Sequence, residues 1–353
     1  MNNVKLLIGN NIISKNENEF KIGSRALIVT GKTSAKKSGA LDDVINVLKK
    51  LNIEYDIFDE ICQNPLLEDC FRASKLYEKC DFVIGIGGGS PLDASKAIAV
   101  LLANKDLDEE TFFNMKWPNK PLPIILVGTT AGTGSEVTDI SVLTTSNMKK
   151  RSVHDKPLYA KLSFGDPKYL ESLSYEFTLS TALDALAHAI ESYLSNKAND
   201  ESRSHSIKAF NYLYKNIIDL NNADREQLYR GSIEGGYAID ITGTTFAHNV
   251  GYLLTENYHV SHGIACYTFM NDLLEFHEKN NNDYFNMFLK DIKLSKTELF
   301  AISDLMPKLN IKMTKEEITD ALPRWENNST VNNTFGKINI IDIEKILIKN
   351  FNK

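Results

Sequence analysis

Between Phe82 and Ala97 the chain reads Phe-Val-Ile-Gly-Ile-Gly-Gly-Gly-Ser-Pro-Leu-Asp-Ala-Ser-Lys-Ala, an apolar run that breaks at Gly87-Gly88-Gly89 and resumes with a helical pattern. A short apolar stretch of this kind reads as a strand buried on both faces, and a helix following it directly belongs to a parallel sheet with crossover connections. The turn between them has a chemistry of its own. Glycines let the backbone approach a bulky anion, Ser90 suits a cap, Pro91 suits the first helical position, and the helix N-terminus favours negative charge. A pyrophosphate is expected over Gly88, Gly89 and Ser90, with a plain strand-to-helix turn as the alternative. The spacing is not the GxGxxG fingerprint, and the turn follows a later strand instead of the first.

The rest of the first half repeats this alternation. Ala26-Leu27-Ile28-Val29-Thr30 reads as a strand, Gly31 opens a polar turn, and Val44, Ile45, Val47 and Leu48 recur at helical spacing. Tyr55–Phe58 then reads as a strand, Leu66–Lys79 as a helix and Ile124–Val127 as another buried strand. The loop after it carries Thr129, Thr130, Thr133 and Ser135 with two glycines, placing hydroxyls and free amides at the carboxyl end of a parallel strand, where such sheets bind ligands. Beyond Asp166-Pro167 helical periodicity dominates, over 180–194, 201–218 and 224–237. The expected fold is an α/β N-terminal domain with a parallel sheet over 1–165, followed by an all-α C-terminal domain over 166–353.

Composition narrows the function. A chain of 353 residues, 42% hydrophobic, is long enough for two cores. The net charge of -6 arises from interleaved acidic and basic residues, so there is no basic stripe for nucleic acid. Residues 1–20 hold no apolar run of signal-peptide or membrane length, and a cytoplasmic location is expected. The four cysteines are scattered, without a CxxC pair, which argues for reduced thiols and for a metal held by nitrogen and oxygen alone.

Such donors are present. Asp184 and His188 stand four apart on an alanine-rich helix, so both side chains share one face and can chelate one cation; a helical Asp/His hydrogen-bonded pair is the competing reading. His248, His259 and His262, three of the seven histidines, follow within one short stretch. One carboxylate and up to three imidazoles suit Fe(II) or Zn(II) and leave a position open for a substrate oxygen.

Taken in order, Gly87–Asp93, Thr129–Glu136, Asp184–Glu191, His248 and His262-Gly263 resemble the motifs of the iron-containing (group III) alcohol dehydrogenases over nearly the whole chain. The resemblance implies the dehydroquinate synthase-like, two-domain fold of that family, an α/β N-terminal dinucleotide-binding domain and an all-α C-terminal metal-binding domain, and hydride transfer between NAD(P)(H) and a primary alcohol or aldehyde. By matching position it implies Asp184, His188, His248 and His262 as metal ligands. Gly88, Gly89, Ser90, Asp93, Thr129, Thr130, Thr133, Ser135 and Lys150 would serve the cofactor. Ser261 replaces a proline common before the last ligand. Tyr252 stands where some relatives carry a proton-moving histidine, which makes Tyr252 and His259 the candidates for proton relay.

Cofactor preference turns on the loop after the first strand. NAD-specific enzymes place an acidic residue there, whereas this chain has Gly31, with Thr33 and Ser34 as hydroxyl donors and Lys32, Lys36 and Lys37 nearby. NADP(H) is expected over NAD(H), as in the similar NADPH-dependent aldehyde reductases, and Fe(II) over Zn(II). The other readings are a glycerol-dehydrogenase-like zinc enzyme, a phosphonoacetaldehyde-type reductase, a lyase similar to dehydroquinate synthase and a non-catalytic nucleotide-binding protein. The expected partners are a small alcohol or aldehyde and a second copy in a homodimer, with no nucleic acid and no membrane.

Overall fold

A computed structural model describes residues 4–352. The chain forms two compact units, one comprising Met1–Thr178 and Asp224–Gly236, the other Leu179–Ala223 and Tyr237–Lys353. The first is built on a six-stranded sheet, β1 (Lys5–Ile8), β2 (Arg25–Thr30), β3 (Glu54–Phe58), β4 (Phe82–Gly87), β5 (Ile124–Gly128) and β8 (Leu162–Gly165), in the order β1-β8-β5-β4-β2-β3. Every pairing in it is parallel. An antiparallel hairpin, β6 (Ile140–Thr144) with β7 (Lys150–His154), stands apart.

Side-chain alternation divides the sheet between two apolar layers. Leu27, Val29, Val83 and Leu126 point to one face with Ala97 and Ile98 of the helix α3 (Gly89–Ala103). Ala26, Ile28, Ile84, Ile86, Ile125 and Val127 point to the other, with Val44 and Leu48 of α1 (Ala40–Lys50). Central strands β4 and β5 are buried throughout, which is why they read as unbroken apolar runs. Between α1 and α3, the helix α2 (Leu67–Leu76) adds Leu67, Cys70 and Ala73 to the first layer.

Residues 224–236 join this unit through Tyr229. Its buried hydroxyl lies 2.9 Å from Glu136 Oε1 and 3.3 Å from the Phe164 carbonyl. Gly128 and Gly165 leave the space, since a Cβ at either would run into the phenol.

The second unit is helical: most of α4 (Tyr175–Tyr193), α5 (Asp200–Ile218), the end of α6 (Arg225–Thr242), α7 (Phe246–Tyr258), α8 (His262–Tyr267), α9 (Met270–Asn280) and shorter elements up to Phe351. Among the described residues no helix is long and apolar enough to cross a membrane.

His277 on α9 is fully buried with both ring nitrogens lacking hydrogen-bond partners, and burial pushes its pKa from 6.5 down to about 4. The unfolded chain therefore takes up a proton below about pH 6.5 that the folded chain refuses until about pH 4, so stability falls as the pH drops through that window. His277→Phe should remove on the order of 2 kcal/mol of the loss between about pH 7 and about pH 5. Urea midpoints at the two pH values check it; an unchanged pH dependence in the variant would contradict the assignment.

Candidate active site

The helix α4 sets Asp184, His188 and Glu191 at i, i+4 and i+7 on one face, and α7 and the start of α8 bring His248 and His262 to it. Asp184 Oδ1 lies 3.3 Å from His248 Nε2, 3.7 Å from His262 Nε2 and 3.8 Å from His188 Nε2. Donors that share one ion at about 2.1 Å stand roughly 3 to 4 Å apart, so these separations suit a common cation. The His188 and His248 rings stack at 4.7 Å, and His262 meets His248 edge-on at 5.3 Å.

Asp184 Oδ1 and His248 Nε2 are buried without a hydrogen-bond partner. Leaving both orphaned is costly unless something else satisfies them. Burial opposes ionisation of Asp184, yet His188, His262 and His248 outweigh it and hold the carboxyl well below its usual range. A buried carboxylate ringed by imidazoles, with a lone pair and an acceptor oxygen unused, fits a divalent cation. The four family-matched ligand residues are thus brought together.

Three residues with a part in the site do not stand out in the sequence. Glu191 is fully buried and holds His248, its Oε1 accepting a short hydrogen bond from Nδ1. Its Oε2 accepts from the second of them, Thr245, through the amide at 2.7 Å and the hydroxyl at 2.6 Å. Burial works against the Glu191 charge, but His248 and Thr245 more than compensate and its pKa is lowered. With the proton fixed on Nδ1, His248 keeps Nε2 free to act as a ligand. The i, i+4, i+7 spacing of Asp184, His188 and Glu191 was the available signal. The third, Cys266, lies one helical turn after His262, its Sγ 3.5 Å from His262 Nδ1 and 3.8 Å from Nε2. No motif in the sequence points to it.

Glu191→Gln should lower cation affinity about 10- to 100-fold with the fold intact, because the amide is a weaker acceptor and no longer fixes the His248 proton. Competition against a chelator measures this; unchanged affinity would mean that the carboxylate serves only to cap Thr245.

In the first unit, the glycine turn and the threonine loop pack on each other. Gly87 adopts φ 153°, and a Cβ there would come within 2.6 Å of Pro91, so the turn requires glycine. The helix begins at Gly89, with Gly88 as its cap, earlier than a Ser90 cap would set it. Its first amides have no carbonyl one turn earlier in the helix to bond to. Gly88 and Gly89 face Thr130 and Thr133 so closely that Cβ atoms would lie 3.0 Å and 2.6 Å from their side chains. The Thr129 hydroxyl is buried without a partner.

Asp93 faces inward. It accepts from the Ser135 hydroxyl at 2.6 Å and the Val142 amide at 3.0 Å. Lys96, fully buried one turn on, donates to the carbonyls of Ser135, Thr138 and Ile140 at 2.8, 2.9 and 2.8 Å. Together they fasten the threonine loop and β6 to α3. Lys150 opens β7, and its charge favours the Asp93 carboxylate. Gly31 lies with Lys32, Lys36, Asp42 and Asp59 around a cleft of about 230 Å³ at the end of β2, while Thr33 and Ser34 follow in the same turn. Of the relay candidates, Tyr252 stacks on His262 at 5.5 Å with planes 10° apart. His259 is the C-cap of α7, at φ 54°.

Two family models match, iron-containing alcohol dehydrogenase over residues 3–167 and the C-terminal part of the Fe-containing alcohol dehydrogenase family over residues 178–328. The 1,3-propanediol dehydrogenase of Klebsiella pneumoniae is 32% identical over 256 residues, 69% of this chain and 65% of that protein, so the match spans a little under two thirds of that relative. The sulfoacetaldehyde reductase of Bilophila wadsworthia is 33% identical, over 74% of this chain and 70% of that protein. The crystal structure of an iron-containing alcohol dehydrogenase from Thermotoga maritima superposes with a TM-score of 0.92 at 34% identity, covering 99% of this chain and 98% of that one. On these matches, and with the parallel sheet and the helical Asp/His cluster both present, the chain belongs to the iron-containing alcohol dehydrogenase family.

Proposed function

We propose that this chain is a metal-dependent oxidoreductase interconverting a primary alcohol and its aldehyde with a nicotinamide cofactor. The observation that carries the reading is the buried Asp184 carboxylate ringed by three imidazoles, with Asp184 Oδ1 and His248 Nε2 left unpaired. Asp184, His188, His248 and His262 would hold Fe(II) or Zn(II), which when bound supplies Lewis-acid polarisation of the substrate oxygen, while the nicotinamide carries the hydride. The chain's own part is positioning. Asp184 contributes the compensating charge, and Glu191 keeps the His248 proton on Nδ1. The amides opening α3 and the Thr129 hydroxyl bind the cofactor phosphates, with Asp93 and Lys96 fixing the loop that carries Thr129. His262, whose side chain is 27% exposed, gives the substrate access, and the Tyr252 phenol beside it is the nearer candidate for passing the hydroxyl proton to solvent.

Relatives of similar identity are named for 1,3-propanediol, sulfoacetaldehyde and long-chain alcohols, so they favour no single chain length. Protein loaded with Fe(II) or Zn(II) should turn over at least one member of a panel of 1,3-propanediol, butanol, sulfoacetaldehyde and phosphonoacetaldehyde. Stoichiometric metal with no turnover of any alcohol or aldehyde would overturn the reading.

Within it, NADP(H) is the proposed cofactor, supported by Gly31 and by Lys32 and Lys36 on the cleft. Asp42 and Asp59 line the same cleft and oppose a 2′-phosphate, so the ratio of kcat/KM for the two cofactors decides. A Cβ at Gly31 would stand 3.0 Å from the Ile61 carbonyl oxygen, so the backbone at Ile61 has to yield by a few tenths of an ångström. Gly31→Asp should move the ratio about tenfold toward NAD(H) through charge repulsion. A wild-type preference for NAD(H), or an unchanged ratio in the variant, would contradict it.

A further inference from the structure

The turn Gly243-Thr244-Thr245 joins α6 to α7, and it sets where His248 stands. Gly243 closes α6 with a left-handed step at φ 70°. Helix ends leave amides and carbonyls without partners of their own, and buried ones must find them elsewhere. On the α7 side the Thr245 amide goes to Glu191, and the Phe246 amide donates to the Thr334 hydroxyl at 3.2 Å. The Thr242 and Thr244 carbonyls both accept from Asn333 Nδ2, at 2.6 and 2.9 Å.

The other end of the Asn333 amide is used as well. Its Oδ1 accepts from the Ser195 hydroxyl at 2.8 Å, just past the end of α4. The backbone repeats the tie, with the Asn196 amide on the Asn333 carbonyl at 2.9 Å and the Phe335 amide on the Leu194 carbonyl at 3.1 Å. Asn333 and Thr334 are both buried and lie beyond residues 178–328, which the C-terminal family model matches. Two carbonyls and one hydroxyl call for two N–H donors and an acceptor oxygen, which a short side-chain amide supplies. One side chain thus links the end of the helix that carries Asp184, His188 and Glu191 to the turn that leads into His248.

We propose that Asn333 and Thr334 are positioning residues for the cation centre, setting the start of α7, and with it the His248 ring, against α4. The proposal rests on the reading of Asp184, His188, His248 and His262 as a cation site. Neither residue holds the ion. Both act through the turn, whose Thr245 is gripped by the same carboxylate that fixes the proton of His248.

The test is Co(II) binding to the full-length protein, measured by chelator competition and visible absorption, with the melting temperature of the metal-free protein recorded in parallel. Asn333→Ala removes the tie, and Asn333→Asp keeps its shape while setting an oxygen against the Thr242 and Thr244 carbonyls. Both should bind Co(II) about tenfold more weakly and shift the visible bands, because the His248 nitrogen no longer meets the other donors in the same geometry. Thr334→Val should act in the same direction with a smaller loss. Asn350→Ala, which cuts a side-chain bond to Asp272 in the same unit, should lower the melting temperature and leave both Co(II) readings at the wild-type values. Wild-type affinity and bands in a folded Asn333→Ala protein overturn the proposal, as does an equal loss of affinity in Asn350→Ala. A wild type that retains no Co(II) overturns the cation site itself. If neither Asn333 variant folds, Thr334→Val decides, and an unchanged Co(II) affinity there refutes the positioning role.

Discussion

Asp184→Ala should leave a folded protein that retains neither cation nor turnover. The carboxylate is the anion at the centre of His188, His248 and His262, with all three Nε2 atoms within 3.8 Å of its Oδ1. Removing it takes away one donor and the charge that makes gathering a dication among buried imidazoles favourable. Alanine is a strong helix former, so α4 should persist. Loss of Lewis-acid polarisation is worth several kcal/mol, hence about 10³-fold or more in kcat/KM. Metal content by mass spectrometry beside steady-state rates provides the check. Full metal occupancy with near-normal turnover would show that the reaction takes place elsewhere.

Gly89→Val should raise the KM for the cofactor about 10- to 100-fold and leave metal content unchanged. A Cβ at this position already lies 2.6 Å from Thr133, so valine forces the glycine turn and threonine loop apart and fills space over the first amides of α3. Metal content is insulated because the cation donors all lie in the other unit. The double variant Gly89→Val with Thr133→Ala separates two causes. Recovery of cofactor affinity would assign the defect to the clash between loops, whereas a persisting defect places it in the space taken from the phosphates. An unaltered KM in a folded Gly89→Val protein would contradict both.

The sheet and the Asp184/His188 pair were legible for different reasons. Strands β2, β4 and β5 are buried on both faces and read as apolar runs, and Asp184 with His188 is visible because chelation on a helix imposes a spacing. Strands β1 and β8, four residues each, are too short for periodicity to separate from loop, and the hairpin β6–β7 mixes polar and apolar residues without the Asn-Gly or Asp-Gly pair that marks a tight hairpin. The inclusion of 224–236 in the first unit depends on Tyr229 finding Glu136, a contact across 93 positions that no local pattern encodes. The place of Cys266 beside His262 has a related cause. It comes from the close crossing of α7 and α8 at Gly251, and cysteine spacing carries no trace of it.

The donors come from three helices, α4, α7 and α8, and the step from His188 to His248 spans 60 positions, so a fixed distance between them exists only in the folded chain. An ion held there is therefore a rivet for the helical unit as well as a reagent, bound by the native ensemble and ignored by the unfolded one. At a free concentration about a thousand times its dissociation constant it adds about 4 kcal/mol to the native state. Stripping such an ion with a chelator should therefore lower the melting temperature along with the proposed activity.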